Sequence, residues 1–337
     1  MCNRVRLLAN AVKSVMRKGG AIMALCAVGF AGPAAATNSW PERPVTIIVP
    51  FSAGGATDIV ARLIGASLSE QWDQSVVVEN RTGAGGNIGT GLVASAKPDG
   101  YTILMASGAN LTINPHLYDN LSFDVSNDFA PITNVATGPM VVAVSETITA
   151  PTLADFIKDA SANPAHYTIG SAGVGSQGHL AGENFQVAAD IDLVHVPYRG
   201  ESAAFADLMA GQIDVVVGNI GAALAPLNSG RIRLLAVASE EPTELLPDVP
   251  IARESGATDY VNYGWFGFVA PAGTDPQIVD KVYSDVKRVL EDEEVIRQLA
   301  ELGMSALGNT PAEFNQQIEQ ESAQWAQIIA ERNISID

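Results

Sequence analysis

Cysteine is nearly absent from this chain of 337 residues, with Cys2 and Cys26 as its two examples. Both lie within the first 36 residues, which are typical of an export signal, because five basic residues precede an apolar run over 21–31 that ends in alanines 34–36. We expect cleavage after Ala36 and a periplasmic mature chain with neither a disulfide nor a thiol nucleophile. Lipidation of Cys26 is a weaker alternative, since the apolar run continues past it.

Positive charge is also scarce, with 19 Lys and Arg against 37 Asp and Glu and a net charge of -18. Without the five basic residues of the signal, 14 remain against 37, which gives a net charge of -23. This balance argues against nucleic acid and anionic membrane surfaces as partners. An anionic ligand would need local donors instead, such as backbone amides at the N-termini of helices.

After residue 36 the chain lacks any apolar run near the ~20 residues that a transmembrane helix needs. It also lacks paired metal-ligand spacing among its four histidines, His116, His166, His179 and His195. We therefore predict no metal and no cofactor. A serine could still meet a histidine in space, because catalytic groups are recognised by geometry rather than by order in the chain.

Short apolar segments alternate with segments in which apolar residues recur at helical spacing. The first series of predicted strands covers 45–49, 76–78 and 102–105. With helices between these strands, the βαβαβ order implies a parallel sheet with right-handed crossovers. A second series begins with a strand over 140–144 and reaches one over 213–217, and a last helix is predicted over 311–332.

About 300 mature residues are long for one hydrophobic core and suit two α/β domains. Extended crossings are expected near 133–137 and 234–238. We therefore predict domain I over 37–138 plus 239–337, and domain II over 139–238.

Three turns follow predicted strands and open predicted helices. They are 50–58 (PFSAGGATD), 79–89 (ENRTGAGGNIG) and 195–202 (HVPYRGES). In the first turn, Gly54 and Gly55 allow the backbone to approach a ligand, and the helix N-terminus offers N–H groups to an anion or carbonyl. The alternative is a plain strand-to-helix turn with Thr57 or Asp58 as the N-cap.

The third turn offers two side chains for recognition. Tyr198 supplies a flat wall and a hydroxyl, and Arg199 could pair with a carboxylate through two hydrogen bonds. The alternative is an exposed arginine next to Ser202 as a helix cap. The near-match to a nucleophile elbow over 200–204 counts for little, because Ala204 replaces the last glycine.

The glycine patterns of the chain do not support nucleotide binding. The pattern GxGxxG fails from Gly83, because Ile88 stands where the last glycine is required. Residues 173–178 satisfy the pattern, but Glu201 is the first acid beyond the end of the next strand and is poorly placed for a ribose.

Seven short motifs together closely resemble the Bug family, the extracytoplasmic receptors of tripartite tricarboxylate transporters. They are 40–45 (WPERPV), 50–55 (PFSAGG) with Asp58 and Arg62, 78–86 (VENRTGAGG), 97–101 (KPDGY), 197–200 (PYRG), 246–250 (LPDVP) and 270–274 (APAGT). The resemblance implies a type II periplasmic-binding (Venus flytrap) fold, with two α/β domains, the first discontinuous, and a ligand cleft between them.

The resemblance also implies that backbone amides, small polar side chains and bridging waters hold a carboxylate. Carried onto this chain, the substrate-binding residues of domain I are Phe51, Ser52, Gly54, Gly55, Thr57, Asp58, Gly86 and Ser107. Those of domain II are Gly173, Ser176, Tyr198, Arg199, Gly200 and Ser202.

The function expected from the resemblance is non-catalytic binding of a small organic acid, by a monomer that serves integral membrane transporter subunits. The solute could be a mono-, di- or tricarboxylate, an aromatic acid or an amino acid. Two alternatives remain, an exported α/β hydrolase-like enzyme and a sensory receptor for a membrane kinase.

Overall fold

The protein is described here by a computed structural model that covers residues 40–332 and 334. All helices and strands discussed below lie in the unit Pro41–Asp337. The predicted signal over 1–36 and its cleavage site lie outside the described residues.

The first three strands follow the predicted apolar segments closely. In chain order they are β1 Val45–Val49, β2 Val76–Asn80, β3 Thr102–Ser107, β4 Phe129–Ser145, β5 Thr168–Ser171, β6 Val194–Pro197, β7 Val215–Asn219, β8 Ile232–Val237, β9 Tyr263–Pro271 and β10 Ser305–Ala306.

The helices alternate with these strands until the C-terminal part, which is mainly helical as predicted. They are α1 Ala56–Trp72, α2 Asn87–Ala94, α3 Asn114–Leu117, α4 Val125–Asp128, α5 Leu153–Ala162, α6 Gln177–Ala189, α7 Glu201–Met209, α8 Ile220–Asn228, α9 Pro276–Leu290, α10 Glu293–Glu301 and α11 Pro311–Arg332. Short 3-10 turns cover Ala84–Gly86 and Ala252–Glu254, and a π turn covers Ala109–Ile113.

Several helices begin where a side-chain oxygen can accept a backbone N–H that has no partner within the helix. Asp275 accepts from the Gln277 N–H at 2.9 Å, directly before Pro276 at the first position of α9. Asp292 accepts from the Glu294 N–H at 2.8 Å at the start of α10. These starts are therefore determined by local sequence.

The first sheet has the strand order β2-β1-β3-β9-β4. Strand β1 runs parallel to both β2 and β3, which confirms the predicted βαβαβ unit. The sheet is nevertheless mixed, because β9 returns from the far end of the chain and pairs antiparallel with β3 and with β4. The prediction of a purely parallel sheet was incomplete, since β9 had not been recognised as a strand.

The second sheet is also mixed. Strand β5 lies parallel to β6 and β7, as the second series predicted. Strands β7 and β8 pair antiparallel with the second half of β4, from Met140 onward. Strand β4 therefore takes part in both sheets, with residues 129–139 paired to β9 and residues 140–145 paired to β7 and β8.

The two predicted crossings lie in different strands. Residues 133–137 lie within β4, but residues 234–237 lie within β8, which pairs with β4 in the second sheet. After β8, Ala252, Ala257 and Tyr260 pack in the core beside the second sheet. We therefore propose that the second crossing lies near residues 262–263 and that domain II extends to it.

Each sheet is covered by helices that bury aromatic side chains. Phe156 of α5 and Phe185 of α6 belong to the cluster on one face of the second sheet, and Phe205 of α7 belongs to that on the other. On the first sheet, Phe314 of α11 lies with its ring centroid 5.4 Å from that of Trp265. The C-terminal helix is thus attached to the strand β9 that the chain uses to return.

We predict that Phe314→Ala lowers the free energy of unfolding by about 3–5 kcal/mol, because it leaves a cavity at a fully buried site. Urea titration followed by circular dichroism measures the change. Gln316→Ala, on the exposed side of the same helix, serves as the control and should stay within about 0.5 kcal/mol of wild type. Equal stabilities for the two variants would contradict this account of the core.

Candidate functional site

The N-terminus of α1 is presented by the first glycine-rich turn. Gly54 adopts a left-handed backbone with φ of 78°, which glycine tolerates without strain. The first helical hydrogen bond runs from the Ile59 N–H to the Gly55 carbonyl at 3.0 Å. The N–H groups of Ala56, Thr57 and Asp58 precede that bond and have no partner within the helix.

Asp58 holds this turn in place. Its Oδ2 accepts from the Gly54 N–H and from Arg62 Nε, both at 2.9 Å, and its Oδ1 accepts from Asn80 Nδ2 at 2.9 Å. Burial opposes ionisation, but the hydrogen bonds from Arg62, Gly54 and Asn80 outweigh it and hold the pKa of Asp58 below its usual value. Both carboxylate oxygens of Asp58 therefore accept hydrogen bonds that support the turn.

The N-terminus of α6 is presented by the turn after β5. Ser176 caps it by accepting the His179 N–H at 3.2 Å, and the first helical bond runs from the Leu180 N–H to the Ser176 carbonyl at 3.1 Å. The N–H groups of Gln177 and Gly178 precede that bond. Gly178 allows the start of α6 to pack closely on β7, since a Cβ there would lie 2.9 Å from the Val217 carbonyl oxygen.

Both helix N-termini line one small cavity of about 30 Å³, enough for about two water molecules. We call it the central cavity. Its lining residues are Phe51, Gly55, Ala56, Thr57, Ser107, Ala172, Ser176, Gln177, Gly178, Glu201, Asn219 and Phe266. None of them is Lys, Arg or His, so the donors that they offer are neutral.

Five predicted residues line the central cavity: Phe51, Gly55, Thr57, Ser107 and Ser176. Three others join the facing turns beside it. Ser202 Oγ donates to the Ala53 carbonyl at 2.9 Å and lies 2.7 Å from Ser52 Oγ, which is therefore the donor in that pair. A Cβ on Gly200 would approach Ser52 Oγ to 2.0 Å, so glycine permits this contact.

The remaining predicted residues also lie outside the lining of the central cavity. Gly54 is exposed in the turn before α1, and Gly86 is buried behind Phe51, whose Cζ a Cβ would approach to 3.0 Å. Gly173, Tyr198 and the exposed Arg199 line a second cavity of about 500 Å³, which shares Ala172 with the first.

The sequence did not single out several lining residues. Gln177 and Gly178 lie inside the glycine pattern over 173–178, and their position at the start of a predicted helix was a usable signal. Asn219 likewise ends β7 and lies at the N-cap position of α8. Phe266 could not be found, because β9 was not recognised as a strand.

Glu201, which the sequence presented as an acid misplaced for ribose, is the acidic residue of the central cavity. Its Oε1 accepts from the Asn219 N–H at 2.7 Å and from Asn219 Nδ2 at 3.0 Å, and its Oε2 accepts from the Ala56 N–H at 3.4 Å. Burial raises the pKa of Glu201, and the hydrogen bonds from Asn219 and Ala56 act against that rise. The side chain therefore connects α7 of the second sheet to the N-terminus of α1.

A serine and a histidine do meet in space, as the sequence allowed. Ser171 Oγ lies 2.7 Å from His195 Nε2 and accepts from the Gly173 N–H at 3.1 Å. The His195 ring stacks on His179, with centroids 4.2 Å apart. Burial lowers the pKa of His195 to about 4, and burial with the neighbouring His195 lowers that of His179 to about 3. These neutral rings support the turn that leads into α6.

Comparison with known proteins decides the family. The model of the tripartite tricarboxylate transporter family receptor, TctC, matches residues 60–334. The chain belongs to this receptor family. The resemblance to Bug proteins is confirmed, since BugT of Bordetella pertussis is 33% identical over 308 residues, which cover 91% of this chain and 94% of BugT.

Solved structures confirm the periplasmic-binding fold. The periplasmic binding protein BugD is similar with a TM-score of 0.84 and 32% identity, covering 88% of this chain and 99% of BugD. Rpa4515 of R. palustris, solved with adipate, is similar with a TM-score of 0.85 and 33% identity over 88% of this chain and 99% of its own. This TctC-family chain is a solute-binding receptor, and its solved relatives are receptors rather than enzymes.

Within residues 40–332, no helix combines the length and the apolar character needed to cross a bilayer. In the same part of the chain, no group of three His, Cys, Asp or Glu side chains is arranged to hold a metal ion.

The stacked histidines predict a pH dependence of stability. In the unfolded chain both histidines bind a proton below about pH 6.5, whereas in the folded chain His195 does so only near pH 4 and His179 only near pH 3. The unfolded state therefore binds more protons in this window, so the free energy of unfolding should fall as the pH falls through it. The slope should reach at most about 1.4 kcal/mol per pH unit for each ring. Urea unfolding between pH 7 and pH 4.5 measures it.

The control is the double variant His179→Gln with His195→Gln, which keeps polar side chains but cannot titrate in this range. Carboxylates contribute equally to both proteins, so the difference between the two profiles isolates the rings. Parallel profiles would show that the histidines do not carry this dependence.

Proposed function

We propose that this receptor is exported to the periplasm as a monomer with its signal removed after Ala36, binds a small carboxylate-bearing solute and delivers it to integral membrane subunits. One observation carries the proposal: helices from two different sheets direct their N-termini into one cavity that has no basic side chain. Each helix end stabilises an anion by about 0.3–1 kcal/mol when exposed and up to about 2 kcal/mol when partly buried. The adipate bound by the relative Rpa4515 is an acid of this class.

Binding would require the two facing turns to separate, because a central cavity of about 30 Å³ does not admit a solute of several carbon atoms. Three hydrogen bonds hold the turns together: Ser52 to Ser202, Ser202 to Ala53, and Tyr118 Oη to the Val174 carbonyl at 2.7 Å. Opening would bend the chain where β4 and the segment before β9 pass between the sheets. A solute that bridges both helix ends would favour closure, since it binds the closed state better.

We further propose that the protein has no hydrolytic activity. The pair of Ser171 and His195 is the observation that would favour an exported hydrolase. However, Ser171 is 2% exposed and its oxygen already accepts the Gly173 N–H. A sensory receptor for a membrane kinase would use the same binding chemistry and differ in its partner.

We predict that small carboxylates stabilise the protein in thermal melting, by about 2.7 kcal/mol at 100 times the dissociation constant. The screen uses adipate and other mono-, di- and tricarboxylates, aromatic acids and amino acids, after unfolding and refolding to remove retained solute. No shift with any acid would contradict the proposed function.

Gly55→Val should abolish that shift by filling the space between the turn and the solute. A Cβ at Gly55 meets its nearest neighbours at 3.5 and 3.7 Å and its φ of -79° is ordinary, so the variant should fold. Ala66→Val, on the exposed side of α1, is the matched control and should bind as wild type does. Unchanged affinity in folded Gly55→Val would remove this turn from the site.

We propose that Arg199 pairs with a distal carboxylate through the second cavity. Arg199→Ala should then weaken adipate binding about tenfold, or 1.4 kcal/mol, but leave hexanoate nearly unchanged. Isothermal titration calorimetry measures both affinities. Equal effects on the two acids would show that Arg199 does not select the second carboxylate.

A further inference from the structure

The central cavity offers acceptors as well as donors. Glu201 is 9% exposed and Asn219 is 6% exposed, and both line the wall. Asn219 Nδ2 donates to Glu201, whereas Asn219 Oδ1 is buried without a hydrogen-bond partner among the described residues. A buried acceptor without a donor is costly, so this wall is suited to a solute that brings N–H groups.

The contacts of Glu201 define what it can still accept. Every hydrogen bond recorded for its oxygens comes from an N–H donor, which suits the ionised form of the side chain. Its Oε1 accepts two of these bonds, whereas Oε2 accepts one long bond of 3.4 Å from Ala56. Since a carboxylate has about four acceptor positions, Oε2 can accept a further donor.

The charge balance of the cavity points the same way. Each helix N-terminus is equivalent to about half a positive charge, so α1 and α6 together roughly balance one carboxylate. Glu201 already supplies that carboxylate. A solute that buries a second carboxylate must therefore bring its own cation, because the cavity has no basic side chain to balance the added negative charge.

Resting on the proposed function, we infer that Glu201 is a specificity-determining residue that selects solutes carrying an ammonium group beside the buried carboxylate, that is, amino acids. The solute carboxylate binds the free N–H groups at the start of α6. The ammonium donates to Glu201 Oε2 and to Asn219 Oδ1. The net charge added to the cavity is then zero.

The test compares matched acids that differ in the amine alone: L-aspartate with succinate, L-glutamate with glutarate, L-2-aminoadipate with adipate, and L-phenylalanine with 3-phenylpropionate. Calorimetry at pH 7.5 gives each affinity. In every pair that binds, the amine-bearing member should bind wild type at least about tenfold more tightly, or 1.4 kcal/mol. Glu201→Gln should reduce the ratio to about one, because its amide presents an NH₂ group to the ammonium.

Glu254→Gln is the matched control, because it makes the same change of net charge on an exposed side chain and should keep the wild-type ratio. Glu201→Asp retains the negative charge and should keep a preference for the amine. The wild-type comparison needs no variant, so an amine-free member that binds as tightly as its partner overturns the inference even if Glu201→Gln does not fold. A ratio unchanged in folded Glu201→Gln overturns it as well.

Failure of the inference differs from failure of the proposed function. Binding of succinate, glutarate or adipate without a preference for the amine leaves the carboxylate receptor intact and removes the role of Glu201. Binding of no acid from any pair, together with no thermal shift in the wider screen, overturns both.

Discussion

Strand β4 is the structural constraint on which the site depends. Its first half pairs with β9 and its second half with β7 and β8, so one continuous strand of 17 residues belongs to both sheets. Each sheet contains a parallel strand, β1 or β5, that leads through a tight turn into a helix. Because β4 connects the two sheets, the turns after β1 and β5 can meet, and the N-termini of α1 and α6 reach the same cavity. A change in the path of β4 would move one helix end relative to the other.

The proposed anion site has no cationic side chain in its wall. In a chain with a net charge of -18, long-range attraction does not help a carboxylate to bind. Oriented N–H groups act at hydrogen-bond distance instead, and they act most strongly where water is excluded. One of these N–H groups is already engaged, because the Glu201 carboxylate accepts the Ala56 N–H at 3.4 Å. The cavity therefore combines unused donors with acidic and amide acceptors, and that combination can discriminate among acids.

Behind the cavity, supporting contacts keep the two turns in their conformations. Asp58 accepts hydrogen bonds from Gly54, Arg62 and Asn80 below the first turn. Ser171 and His195 form a hydrogen bond with each other below the second turn. Asp58, Ser171 and His195 do not line the central cavity. A serine beside a histidine is thus explained as support for a turn, and catalysis is not needed to account for it.

The sequence by itself determined most local elements, the parallel pairing of the first βαβαβ unit, the family and five of the twelve lining residues. Helical and strand periodicities, capping residues and glycine turns are local properties, so Val45–Val49, Ala56–Trp72 and the turn between them could be read from neighbouring residues. The return strand β9 and the first half of β4 could not, because their aromatic, glycine and proline residues show no clear alternation. The tertiary structure alone decided that Glu201 meets Ala56, 145 residues away, and that Asn219 lies beside both. Such contacts depend on how the two sheets are placed relative to each other, and no short segment of the chain determines that placement.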